Sequence, residues 1–224
     1  MDILNLLFPR SCLGCNKEGT YLCQDCKETL DILYHTYCFC QKDPTIDGKC
    51  PRCSSYLSGL FCALSFKEKA LTRKLIHCYR DNYLKDAAST LALLIMDHLY
   101  LLEKDHLLEK STLVPLFLDV KEVKKRGYDQ NEELCKSLSG ILGIALQKGF
   151  RQTDPVLKPV FENNISGRVF LVADLYTPNC MEDCAWSLKE AGAKEVFGLA
   201  IARDQTRESQ LSGDPEHRVL LGRD

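Results

Sequence analysis

The sequence has no apolar run long enough to span a bilayer. Its best candidate, Leu91 to Leu102, is short and is interrupted by Asp97 and His98. It has no large excess of charge either. Lys and Arg total 29 and Asp and Glu total 31, for a net charge of −2. That excludes a chain that holds nucleic acid by bulk positive charge and leaves room only for a local basic patch. The start, MDILNLLFPR, lacks the positive region and long apolar stretch of a secretory signal, so a cytoplasmic protein with no membrane insertion is expected. Within 224 residues, 45% are hydrophobic and 27% charged, which suits a globular chain of one large domain or two small ones. What the chain does have is 13 cysteines. Eight fall within the first 53 residues, and Cys62, Cys78, Cys135, Cys180 and Cys184 are scattered over the rest. A cytoplasmic chain keeps its thiols reduced, so a dense cluster of paired cysteines favours metal over disulfides.

Composition divides the chain into a cysteine-rich segment, 1–56, an alternating region, 57–203, and a polar tail, 204–224. Apolar spacing predicts strands at Leu60–Phe66, Thr112–Leu118, Arg168–Asp174 and Glu195–Ala202. Helices are expected at Lys67–Tyr79, Leu84–Leu102, Gln130–Leu146 and Asn179–Ala191, the last stopped by Gly192. Strands alternating with helices point to an α/β fold with a mostly parallel sheet flanked by helices.

The cysteine segment carries Cys12-Leu-Gly-Cys15, Cys23-Gln-Asp-Cys26, Cys38-Phe-Cys40 and Cys50-Pro-Arg-Cys53. A C-x-x-C turn puts two thiolates on one side of a tight loop, and two such turns complete a tetrahedron around Zn²⁺. Gly14 suits the tight turn after the first ligand. The pattern predicts at least one structural zinc ion, and two if each set of four thiolates closes a site. Cys38-Phe-Cys40 is one residue shorter than the other pairs, and His35, three residues before it, could replace one thiol. Sequential and nested pairings are both open, and the alternative is a set of buried reduced thiols or a redox C-x-x-C.

The run from Arg168 to Gly192 is a buried strand ending in Asp174, a short loop and a helix. In an open parallel sheet, ligands sit at the carboxyl ends of strands, where a helix N-terminus can receive a phosphate. The plainer reading is an ordinary strand-to-helix turn, with Asn179 as N-cap and Glu182 completing a capping box.

Three blocks of the chain resemble the ComF family, in which a double zinc ribbon precedes a type I phosphoribosyltransferase domain. They are the cysteine block, the segment Val114-Pro-Leu to Arg126-Gly-Tyr-Asp-Gln130, and the strand, loop and helix from Arg168 with its continuation to Arg203. The resemblance implies phosphoribosyl pyrophosphate (PRPP) and Mg²⁺ as ligands. Asp174 would hold the ribose. Thr177, Asn179 and Cys180 would lie at the 5′-phosphate, and Lys125, Arg126 and Gly127 at the pyrophosphate. It also implies a link to DNA uptake through single-stranded DNA or a helicase-type partner, for which Lys67, Lys69, Arg73, Lys74 and Arg80 form one basic stretch and Lys121 to Arg126 the other. The third block departs from the family pattern. Ala173 stands where a second acidic residue is usual, and Thr177-Pro-Asn-Cys-Met181 stands for T-T-G-x-T. Pro178 has no N–H, and Met181 has no hydroxyl. Asp129 replaces a usual Asn. Between 151 and 167 only Thr153-Asp-Pro155 and Asn163-Asn164 remain of the family's usual elements. These losses predict reduced or absent transferase turnover.

Overall fold

The computed structural model describes residues 9–37, 44–45, 54–66, 71–82, 84–152 and 158–204. Cys38, Cys40, Cys50 and Cys53, the start of the helix expected from Lys67, Thr153-Asp-Pro155 and the tail beyond Asp204 lie outside them. In chain order the elements are α1 (Gln24–Lys27), β1 (Thr36–Tyr37), β2 (Pro44–Thr45), β3 (Gly59–Phe66), α2 (Leu71–Arg80), α3 (Ala88–Leu101), β4 (Ser111–Pro115), α4 (Val120–Arg126), α5 (Gln130–Leu142), β5 (Ala145–Leu146), β6 (Phe150–Arg151), β7 (Val160–Phe161), β8 (Gly167–Leu175), α6 (Pro178–Glu190) and β9 (Ala193–Asp204). The sheet runs β2-β1-β3-β9-β8-β4-β5. From β3 to β5 all neighbours are parallel, and β1 is antiparallel to both β2 and β3.

Burial explains the sheet. Along β8, Val169, Leu171 and Ala173 join Met181, Cys184, Ala185 and Leu188 of α6 in one apolar cluster. Phe170 and Val172 join residues of α2, α3 and α5 in a larger one. The period-two alternation of a strand therefore feeds two cores at once, which is why its sequence is apolar almost throughout. On β9, Gly198 faces α6: a Cβ there would stand 2.7 Å from Met181 Sδ and 2.8 Å from Leu60 Cδ1. No helix among the described residues is long and apolar enough to cross a membrane.

Two expected boundaries move, and one element is unexpected. The strand expected to reach Leu118 ends at Pro115. The helix expected to reach Leu146 stops at Gly143, which takes φ 67°, and the chain turns into β5. The cationic run from Lys121 is itself a helix, α4, capped by Asp119 and ended by Gly127 at φ 76°. A short charged segment with few apolar positions shows no helical period in sequence, so this one was invisible there.

The cysteine segment lies against the larger core, which takes in Leu22. Leu33 N donates to Ala63 O at 2.9 Å, and His98 Nδ1 lies 2.6 Å from Leu33 O. His98 is fully buried. Its Nδ1–H donates to that carbonyl, so Nε2 is the unprotonated nitrogen and the ring is neutral. Burial pushes its pKa down from 6.5 to about 4, with the Leu33 carbonyl opposing and His35 adding to the fall. The unfolded chain therefore binds a proton that the folded one refuses. Stability should be complete above pH 6.5 and should drop by about 3 kcal/mol as pH falls to 4. Urea unfolding of the wild type beside a His98→Gln variant checks this: a wild-type profile no steeper than the variant's refutes it.

Candidate functional site

The first site is built by two turns. Cys12 to Asn16 form a turn closed by Asn16 N donating to Cys12 O at 2.8 Å, with Asn16 at φ 64°. Cys23 is the N-cap of α1, which places Cys26 one turn later. The Sγ atoms of Cys12, Cys15, Cys23 and Cys26 all lie within 4.8 Å of one another. Cys15 Sγ is 3.5 Å from Cys23 Sγ, and Cys23 N donates to Cys12 Sγ at 3.3 Å. Burial raises the Cys12 thiol, but hydrogen bonds from the backbone of Cys23, Cys15 and Gly14 outweigh it and bring it down to about 6. Cys26, half-buried and crowded by the other thiols, is pushed up to about 12 by partial desolvation. Four sulfurs crowded round one point, with backbone donors stabilising thiolate, form a donor set that fits zinc. His35 is not part of this set.

Gly14 has a different reason from the one expected. It is not among the glycines at positive φ. A Cβ on it would stand 2.5 Å from Cys26 Sγ. Its lack of a side chain makes room for the fourth sulfur.

The second site is the carboxyl end of β8. Asp174 is 4% exposed. Its Oδ1 accepts from Leu175 N at 2.7 Å, and its backbone N donates to Asn131 Oδ1 at 3.0 Å. Asn131 Nδ2 donates in turn to Leu116 O at 3.0 Å. Arg80 Nε lies 3.2 Å from Asp174 Oδ2, an ion pair whose alignment falls short of a hydrogen bond. Burial raises the Asp174 carboxyl, with Arg80 the main opposing charge and Arg126 a smaller one. Arg126 is 11% exposed, with Nη2 3.0 Å from Glu122 Oε2. Its Nη1 is buried without a hydrogen-bond partner. Of the cationic pair assigned from sequence, Arg126 acts on Asp174, whereas Lys125 lies on the exposed side of α4. Gly127 follows as the helix stop, and Asp129 caps α5 through Asn131 N and Glu132 N.

The loop departs furthest from expectation. The N-cap of α6 is Thr177, not Asn179, and Pro178 is the first helical residue. A fixed φ near −65° and a missing N–H both suit that position. Met181 N donates to Thr177 O at 2.9 Å, and Met181 is fully buried. Asn179 is exposed, and Cys180 Sγ approaches Phe117 O at 3.7 Å. Glu182 completes no capping box. It accepts from Ser55 Oγ at 2.8 Å and from Tyr56 N at 2.9 Å. Residues 177–181 are therefore the first turn of a helix that is fastened to the segment preceding β3. Ala173, on the face opposite Asp174, is in the core.

Sequence reasoning missed Arg80 as a partner of Asp174 and missed Asn131 altogether. Arg80 read as one cation in a basic stretch. Asn131 follows the Arg126-Gly-Tyr-Asp-Gln130 signature at once, and that adjacency was the available signal.

A scan of the chain against protein-family models matches none, and a search of the curated proteins finds no match.

Proposed function

We propose that this chain is a ComF-type protein: a zinc-ribbon segment on a phosphoribosyltransferase-like scaffold that has lost transferase turnover and works through a partner in DNA uptake. One observation carries the reading. The one acidic residue left to hold a ribose, Asp174, is buried and engaged by Arg80 and Leu175 N, while residues 177–181 are committed to α6. A cradle for a 5′-phosphate needs several convergent N–H groups. Pro178 has none, and the Met181 N–H is spent on Thr177 O. Arg73 and Lys74 on α2, with Lys121, Lys124 and Lys125 on α4, offer exposed cationic side chains for a nucleic-acid backbone.

An active transferase using PRPP and Mg²⁺ is the second reading. The unbonded Nη1 of Arg126, buried beside Asp174, favours it, because a phosphate oxygen would satisfy that donor.

Calorimetric titration of PRPP with Mg²⁺ into zinc-loaded protein is expected to give no saturable heat below the millimolar range. Single-stranded DNA should be retained at low salt and released steeply as salt rises. Micromolar PRPP binding would overturn the first reading in favour of the second, and DNA retention that ignores salt would remove the cationic contact.

A further inference from the structure

A cleft of about 320 Å³ opens between the β4–α4 connection, α4, the start of α5 and β6. Neither Asp174 nor the start of α6 lines it. Its apolar lining includes Leu118, Val123 and Phe150, all only partly buried. Its charged lining is Asp129, Glu132 and Lys148.

The charges do not cancel. Lys148 Nζ lies 3.1 Å from Glu132 Oε1, and Lys136 Nζ lies 2.7 Å from the same oxygen, so the Glu132 charge is answered from within the protein. Among the described residues no cation pairs with Asp129. Both of its hydrogen bonds, from Asn131 N at 2.9 Å and Glu132 N at 3.0 Å, end on Oδ1. Its Oδ2 is uncommitted among the described residues, and Asp129 lines the cleft beside the apolar side chains. Burial pushes this carboxyl above its usual range, the direction that a nearby cation would reverse. The volume is at the lower end of small-molecule sites, roughly 300–1,000 Å³. It admits a compact molecule rather than a length of chain.

We propose that this cleft binds a small primary amine with an apolar body, the ammonium group on Asp129 Oδ2 and the body against Leu118, Val123 and Phe150. A neutral molecule of the same shape fills the walls but forfeits the charged hydrogen bond. A carboxylate meets an unanswered negative charge. The proposal does not rest on the transferase reading, because PRPP titration can succeed or fail with amine binding unchanged.

Benzylamine and benzyl alcohol, titrated separately while backbone amide resonances of the full chain are followed, form the test. Benzylamine is expected to move the amides of residues 116–123, 129–132 and 148–150, with millimolar affinity at least about tenfold tighter than the alcohol. Asparagine is as good an N-cap as aspartate, so Asp129→Asn keeps the helix start while removing the charge. It should bring the two affinities within about threefold of each other, since tenfold is worth about 1.4 kcal/mol. Val123→Phe should close the cleft to both molecules. Equal binding of amine and alcohol by the wild type, an amine preference that survives Asp129→Asn, shifts centred elsewhere, or none with either probe at tens of millimolar would each overturn the assignment.

Discussion

Removing zinc from the purified protein with a strong chelator is expected to unfold the segment from Pro9 to about Leu33 while the parallel sheet survives. The reason is how small a core of its own that segment has, although Leu22 and Leu33 tie one side of it to the sheet domain. α1 is four residues long and buries none of them. Cys12, Leu22, Cys23 and Leu33 are its buried apolar residues among those described. A segment of that size cannot repay its chain entropy from so small a core, so metal binding is expected to supply the balance, which in small zinc modules is about 10 kcal/mol or more. Zinc analysis should find at least one ion per chain, from Cys12, Cys15, Cys23 and Cys26. Gly14→Ala is the sharper test, because it alters no ligand. Its methyl group would meet Cys26 Sγ at 2.5 Å, so the fourth sulfur must move off the metal. The variant should lose about one zinc per chain and show protease cleavage within the segment, with the far-ultraviolet signal of the sheet domain retained. A variant that keeps its full zinc content would show that these four sulfurs do not form the site.

Introducing the ComF-type residues at positions 173, 178, 179 and 181 should destabilise this protein. Ala173 is fully buried in the apolar cluster that packs on α6. Ala173→Asp places a carboxylate in that apolar cluster, away from Arg80, which meets the opposite face of β8 through Asp174, and near a guanidinium, Arg203, that is already stacked over Tyr176. An unpaired buried charge costs about 3–5 kcal/mol. Met181→Thr removes the side chain that fills the space above Gly198, for about 2–4 kcal/mol more. Thermal unfolding should show Ala173→Asp alone lowering Tm by about 10 °C. Pro178→Thr and Asn179→Gly, at half-buried and exposed positions, should cost much less. An unchanged Tm for Ala173→Asp would mean that the new side chain reaches water past the end of the strand, and would reopen the transferase reading.

The parallel sheet was legible because its strands carry continuous apolar runs that a buried strand needs, and β3, β8 and β9 lie within a few residues of where those runs placed them. The first four-cysteine site was legible because metal ligation depends on residue type and local spacing alone. The strand end was not legible to the same degree. Which face Ala173 presents, whether Asp174 is free or paired, and what Glu182 grips are decided by residues 40 to 130 positions away. Glu182 illustrates the point. Its spacing from Asn179 matches a capping box, yet a stronger claim comes from Ser55 and Tyr56, which local sequence cannot announce. Likewise α4 is held by Asp119 and Gly127 at its ends rather than by an apolar stripe, so periodicity passes over it.

The position of β9 has a consequence for the birth of the molecule. It is the last strand described, yet it lies in the middle of the sheet, with β3 on one side and β8 on the other. Leu60 pairs with Gly198, and Leu171 pairs with that same glycine from the opposite side. Until residues 193–204 leave the ribosome, β3 and β8 each present an open row of backbone donors and acceptors, and neither apolar cluster is closed. The two apolar clusters can therefore close only once the last described strand has been made. The four cysteines from Cys12 to Cys26, by contrast, lie within 15 residues of one another and are all made early, so they can be brought together long before the sheet closes.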